Sequence, residues 1–368
     1  MNAIRTWMFP IALVKGALSL AQVVPFVSDL DRTMVFAGKR FTEADARPAQ
    51  RMHALSDALL YVDHGGALCL YALEARSPVV LERSAVDELQ VSGDRVAWRK
   101  ADTLSILRGG RGQRIATGVQ RFRVSDSLVV FIDSIEHELA VHWRGQRIVL
   151  ATVQQGSEAP QWNQGSNTVT FYDRSRRSVF LFQQGVVRTL TNSTDVGIAV
   201  NGDDIVGYWD DVLDEFKGEA GAAPVRLSGM KPITAQAGNG IIAFLDGTVK
   251  LKAWKGSEVL QLTDSMPAQY WVKDRVLLYL WAGQLMCLTE AGPMAVEEYV
   301  PEHWQVSGDL LVYLDLDRRI RGIRGDGERV RFGNEAGIDG FQLFGDAVLY
   351  RSPAGPITIA TERRSYIF

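Results

Sequence analysis

The sequence predicts an all-β fold, a β-propeller of eight or nine short four-stranded blades, on three observations. One segment recurs nine times: small polar residues, often with Asp, then an apolar run that ends in an aromatic ring. Those rings, Tyr61, Trp98, Phe131, Phe171, Tyr208, Phe244, Tyr279, Tyr313 and Tyr350, lie 33 to 40 residues apart, about 36 on average. A period of that size marks a unit that buries its apolar faces against copies of itself. Third, each period holds two hairpins. One has a Gly-containing turn, as in Leu139-Ala140-Val141-His142-Trp143, Arg144-Gly145-Gln146, Arg147-Ile148-Val149-Leu150, with equivalents at Gly38-Lys39, Gln184-Gly185, Lys255-Gly256 and Asp326-Gly327. The other is the recurring segment itself, such as Trp304-Gln305-Val306-Ser307, Gly308-Asp309, Leu310-Leu311-Val312-Tyr313. A lone hairpin of short strands is marginal in water, so two per unit must stack on the next unit, which is how propeller blades are built.

Taken in order, residues 1–21 have the layout of a secretory signal peptide. Arg5 gives a positive start, residues 7–20 are largely apolar apart from Pro10 and Lys15, and Ser19-Leu20-Ala21 supplies small residues before a cut ahead of Gln22. Residues 22–33 read as a linker or edge segment, and 34–368 as the propeller. The repeats begin with a hairpin over 34–41 and end with another over 356–368. One spare hairpin suits ring closure or the covering of an exposed edge. Nine units exceed the usual four to eight blades, so an eight-bladed ring with one unit diverted, two smaller rings, and an open stack of hairpins are the alternatives.

The repeat also assigns its own core. Nine residues before each ring stand Met52, Leu89, Phe122, Trp162, Ala199, Ala235, Tyr270, Trp304 and Phe341, large and apolar in seven of nine; with the rings they are expected to form the contacts between blades. Two residues after the ring, Asp63, Asp133, Asp173, Asp210, Asp246 and Asp315 recur in six units. A carboxylate there can accept backbone N–H bonds in the turn that leaves the strand, a structural use that suits a repeated residue better than a ring of metal ligands does. The only two cysteines, Cys69 and Cys287, lie in equivalent apolar strands six repeats apart, too far for a disulfide, and are expected as buried thiols.

Gly93-Asp94-Arg95-Val96-Ala97-Trp98, with Asp102 and Leu104-Ser105-Ile106-Leu107, resembles the WD40-like propeller repeat of TolB-type proteins of the bacterial periplasm, over about residues 34–368. The hairpin Val179-Phe180-Leu181-Phe182-Gln183-Gln184-Gly185-Val186-Val187-Arg188-Thr189-Leu190-Thr191 is similar to exported repeat proteins of Bacteroidota. With the leader, these resemblances imply a periplasmic protein whose partner is another protein of the cell envelope. By analogy of fold and setting, that includes an accessory or plug subunit of an outer-membrane, type IX-like secretion complex.

No catalytic motif accompanies the repeat. Gly-x-Ser-x-Gly and the Gly-Lys-Ser/Thr phosphate loop are both absent. His53, His64, His137, His142 and His303 are scattered among the units, and His137-Glu138 lacks a second His four residues after the first. No catalytic residue, metal or cofactor is therefore expected. The alternative is an enzyme acting on envelope glycans, with its carboxylates gathered at the central channel. A formal charge of −3 without basic blocks argues against a nucleic-acid partner. The acidic run Asp210-Asp211-Val212-Leu213-Asp214-Glu215 reads as a solvated loop. No apolar stretch after residue 21 reaches the length of a membrane helix. Trp254, Trp271 and Trp281 fall outside the repeat within 28 residues of one another, and are the expected partner-binding residues, because exposed Trp is favoured at the centres of interfaces.

Overall fold

A computed structural model describes residues 22–75, 77–153, 160–192, 199–221, 223–255 and 258–368. The leader expected over 1–21 and the turn expected at Gly256 lie outside the described residues. Strands form ten antiparallel sheets in chain order, each an up-and-down meander. They are blades 1 to 10, spanning 24–45, 51–82, 88–116, 119–152, 162–191, 199–228, 234–261, 269–297, 304–331 and 341–367. Nine have four strands and blade 1 has three, Val24–Val27, Thr33–Ala37 and Arg40–Asp45. No helix occurs among the described residues.

The count of eight or nine blades is thus corrected to ten. The unit the sequence hid is blade 1, which occupies the stretch read as a linker and the spare hairpin beyond it. Its strands match the second to fourth of the other blades. The register shift at Thr33/Met34 repeats the one at Leu68/Cys69 in blade 2, and Phe26 lies opposite Met34 as Tyr61 lies opposite Cys69. Phe26 is therefore a tenth ring, 35 residues before Tyr61. It escapes the pattern because Pro25 precedes it and Ser28 stands where most later units carry Asp.

Each of the nine later rings pairs directly opposite the residue nine before it, as Met52↔Tyr61, Phe122↔Phe131 and Trp304↔Tyr313 do, so the pair lies side by side on one face of the sheet. That face meets the preceding blade. All ten rings are buried, each in an apolar cluster shared with the blade before its own, and ten such clusters fill the ten interfaces. Phe26 closes the circle. It packs with Phe36 against Ala347, Ile357 and Ile359 of blade 10, and its ring lies 5.0 Å from that of Phe368.

Turn chemistry follows the sequence closely. In the hairpins of the third and fourth strands, both central residues take positive φ at Gly38-Lys39 (55° and 67°), Arg144-Gly145 (47° and 84°) and Gln184-Gly185 (50° and 85°), the two-residue reversal that matches strand twist. All six repeated Asp residues accept N–H bonds from the turn between second and third strands, for example Ala67 N to Asp63 Oδ1 at 2.8 Å and Ile135 N to Asp133 Oδ1 at 3.0 Å. Several also take a cation from the third strand, such as Lys252 on Asp246 and Lys217 on Asp210, both at 2.7 Å.

At the inner rim, first-to-second-strand turns touch from blade to blade. Gly165, Gly202 and Gly238 each stand six residues before their ring. A Cβ on any of them would overlap a backbone carbonyl of the next turn: Gly202 O, Gly238 O and Asp274 O in succession. Below the rim, side-chain amides bridge first strands that are too far apart to pair directly. Gln90 donates to Phe122 O at 3.1 Å and accepts from Val124 N at 3.0 Å. Gln236 and Gln305 repeat the two bonds with blades 8 and 10.

Two predictions follow from this construction. Phe26→Ala should destabilise the domain by about 3–5 kcal/mol in reversible denaturant unfolding, since the ring fills the closing interface. A loss below about 1 kcal/mol would remove it from that role. Asp246 gives an acid dependence. Burial alone would raise its carboxyl pKa, but Lys252, Thr248 and two backbone N–H groups outweigh it and hold the value at about 2 against an ordinary 3.8. Its contribution is therefore complete above about pH 4 and is lost as pH falls through 2. Asp246→Asn should be less stable at pH 7 and should lose less stability than the native chain between pH 4 and 2.

Candidate interaction surface

The meander sorts the connections onto two faces. Turns joining first to second and third to fourth strands lie on one face, here the upper. Turns joining second to third strands, and the links between blades, lie on the lower. Seventeen large apolar side chains are exposed among the described residues. Six sit in fourth strands at the outer circumference, and Phe368 follows the last of these. The remaining ten are all in lower-face turns or links: Leu30, Ile135, Val212, Leu213, Met230, Ile233, Val249, Met266, Val300 and Leu316. None is in an upper-face turn.

Eight of the ten belong to the arc from blade 6 to blade 9 and the links within it. Val212 (65% exposed) and Leu213 (58%) tip the turn of blade 6, Leu316 (77%) that of blade 9, and Met266 (61%) the link from blade 7 to blade 8. Local anchoring holds these tips outward. Asp210 accepts Val212 N at 3.1 Å and Lys217 Nζ at 2.7 Å, and Asp315 takes Arg319 N at 2.8 Å and Arg321 Nε at 2.9 Å. The acidic run 210–215 is thus a turn anchored by Asp210 with two apolar residues at its tip. Large apolar groups gathered on one face are the kind of feature from which contact surfaces are built.

The three off-repeat tryptophans are not brought together. Trp254 is buried between blades 6 and 7, where a Cβ on Gly218 would lie 2.6 Å from its ring. Trp281 packs between blades 7 and 8. Trp271 packs between blades 8 and 9, 5.3 Å from Trp304, and occupies the strand position that Gln90, Gln236 and Gln305 use for bridging. The three indoles fill three separate interfaces. The turn tips were missed, although apolar residues flanked by Asp inside a turn, as in Asp211-Val212-Leu213-Asp214 and Asp315-Leu316-Asp317, are a signal that could have found them.

One charged group lies toward the upper ends of blades 3 and 4. Arg95, Arg108 and His142 share the faces of blades 3 and 4 that meet each other, since Ala97, Ile106 and Ala140 of the same strand parity fill that interface. Burial first, then the two guanidinium groups, lower the His142 pKa, so the imidazole is neutral at pH 7. Cys69 and Cys287 are free and buried. Burial pushes the Cys287 thiol up to about 12, the reverse of what a nucleophile needs. Among the described residues no group of three or more His, Cys, Asp and Glu could hold a metal ion, and no helix is long and apolar enough to cross a membrane.

Ten blades with ten shared cores define a closed β-propeller without an inserted domain among the described residues. The chain belongs to the 10-bladed beta propeller domain family, whose model matches residues 17–364. Among solved structures it is similar to the computationally designed Ika8 protein, at 15% identity over 76% of this chain and 97% of that one, with a TM-score of 0.35. BamB from Moraxella catarrhalis matches at 10% identity over 92% and 97% with a TM-score of 0.35. PorZ, an essential bacterial surface component of the type-IX secretion system of Porphyromonas gingivalis, matches at 11% over 92% and 63% with a TM-score of 0.27. No curated protein matches the chain.

Because Trp254 is sealed between blades, Trp254→Ala should cost about 3–5 kcal/mol, while Trp271→Ala, at a half-buried position, should cost distinctly less. Paired denaturant titrations check the order, and equal small losses would show that neither indole supports its interface.

Proposed function

We propose that this chain is a non-catalytic protein-binding platform that takes its partner on the lower face, across the arc from blade 6 to blade 9. The observation that carries the reading is the one-sided placement of exposed apolar side chains among the described residues: ten on lower-face turns and links, none on upper-face turns. A rigid ring holds such tips in fixed positions, so little ordering entropy is lost when a partner covers them. The narrower form, an exported accessory or plug subunit of a type IX-like secretion or envelope complex, rests on the leader-like composition of residues 1–21. A glycan-cleaving site would instead need two carboxylates facing each other across a bond, and the six repeated Asp residues are each engaged by their own turns.

Photo-crosslinking groups placed at Leu213 and Leu316, and at Lys39 and Gln184 on the opposite face, test the proposal in native cells. The lower pair should give a defined protein adduct that the upper pair does not. Val212→Ser with Leu213→Ser should abolish it without moving the unfolding midpoint. Equal adducts from both faces, or turnover of an envelope glycan by the purified chain, would overturn the reading.

A further inference from the structure

Blades 3 and 4 bring two guanidinium groups and an imidazole together at the upper end of their interface. Ala97 on the second strand of blade 3 pairs with Ile106 on the third, and both face blade 4. Continuing that register by two residues sets Arg95 opposite Arg108 on the same face, where the strands meet their upper turns. From blade 4, His142 follows Ala140 on the third strand and pairs with Val129 on the second, so it shares the interface with both arginines. The Arg108 guanidinium lies against the adjoining turn: a Cβ on Gly145 would be 3.1 Å from its Nη1 and 3.2 Å from its Nη2.

No carboxylate pairs with these groups among the described residues. The ion pairs of blades 3 and 4 use Arg99, Lys100 and Arg147 and leave Arg95 and Arg108 out. Arg147, which pairs opposite His142, is held by Asp133 and Glu138. The carboxylates of the adjoining rim turns are engaged too, Asp94 by Ser56 N at 2.6 Å and Asp126 by Ser92 Oγ at 2.5 Å. Arg95 is half-buried, and burial together with the Arg108 charge lowers its pKa. Arg108 reaches only Gln113, at 3.4 Å. His142 is 5% exposed, and its Nδ1 has no hydrogen-bond partner among the described residues. Like charges gathered beside an unpaired buried ring nitrogen cost stability until something negative joins them.

The donors select the ligand. Guanidinium groups are planar forks matched to oxyanions, and a protonated imidazole donates from both nitrogens. Two fixed positive charges, with a third that His142 can acquire, match a doubly charged oxyanion better than a lone carboxylate. We propose that Arg95, Arg108 and His142 form a binding site for a phosphate group on the upper face, opposite the apolar arc and independent of it. The anion pairs with both guanidinium groups and accepts Nδ1–H of His142, whose protonated form it favours.

Titration of the full chain with inorganic phosphate tests this, with chloride and acetate at matched ionic strength as controls. Phosphate should bind saturably, raise the unfolding midpoint and raise the His142 pKa by about one unit or more, read from the imidazole Cε1 proton and assigned by its loss in His142→Gln. Arg95→Gln should weaken phosphate binding at least about tenfold without lowering the midpoint in chloride, because the charge it removes is unpaired in the free chain. Arg108→Gln, at an exposed position, should weaken binding as well and decides the matter if Arg95→Gln does not fold. Binding of phenyl phosphate alongside inorganic phosphate would identify a phosphate ester as the source, and binding of inorganic phosphate alone a free ion; either supports the site. No saturable response, an equal response to acetate or chloride, or phosphate binding unchanged by the arginine substitutions would overturn the proposal.

Discussion

One aromatic ring per blade, pressed with its cross-strand partner onto the blade before it, is the contact on which the ring of blades depends. The partner lies directly opposite, so ring and partner present a single apolar surface to the preceding sheet. Burial of that surface is the largest favourable contribution an isolated four-stranded sheet of this size cannot make by itself. Stability is accordingly a property of neighbours, approximated by a sum of blade and interface contributions around a circle. Phe26 matters for this reason: it is where the circle meets its own beginning. The exposed Arg351–Asp29 pair across the same seam adds little beside it.

Much of this was legible from residue order, because repetition makes a weak local signal strong. The spacing of the rings, the residues nine before them, the Gly turns and the turn-capping Asp residues all take the places their chemistry dictates. The tenth unit was not legible, since Pro25 and Ser28 remove the two marks that distinguish the others. Nor was the seat of Trp254. Its neighbour Gly218 belongs to the adjacent blade and is 36 residues away, so an indole that breaks the repeat looks like a surface group until the packing between sheets is known. The amide bridges of Gln90, Gln236 and Gln305 were hidden in the same way. A polar side chain on an inner strand resembles a solvated one until the neighbouring strand is seen to lie just beyond pairing distance.

The candidate surface was illegible for a different reason. Charge in 210–215 suggests solvation, and the carboxylates are in fact spent partly inward: Asp210 is buried and bound to Lys217, Thr191 and the turn backbone. What the turn offers outward at its tip is Val212 and Leu213, flanked by the exposed Asp211 and Asp214. The same division recurs at Asp315 and Leu316. An acidic anchor thus fixes the shape of a turn whose contact chemistry is apolar, and composition averaged over the turn reports the anchor and conceals the contact.

The glycine arc at the upper rim has a consequence for how such a ring can change over evolutionary time. Where Gly165, Gly202 and Gly238 let one turn rest its carbonyl against the next, any side chain would force neighbouring blades apart. That stretch admits essentially one residue type, and one substitution propagates strain to the turn beside it. Across the ring, six of the lower turns are shaped by their own Asp residues, and where a tip meets a neighbouring link, as Asp317 O and Arg318 O accept Gly337 N and Ile338 N, the contact is made by backbone groups that most residues supply. Change is tolerated there more readily than at the glycine arc, so the molecule separates a tightly constrained stretch of its hub from an outer set of more permissive fingertips.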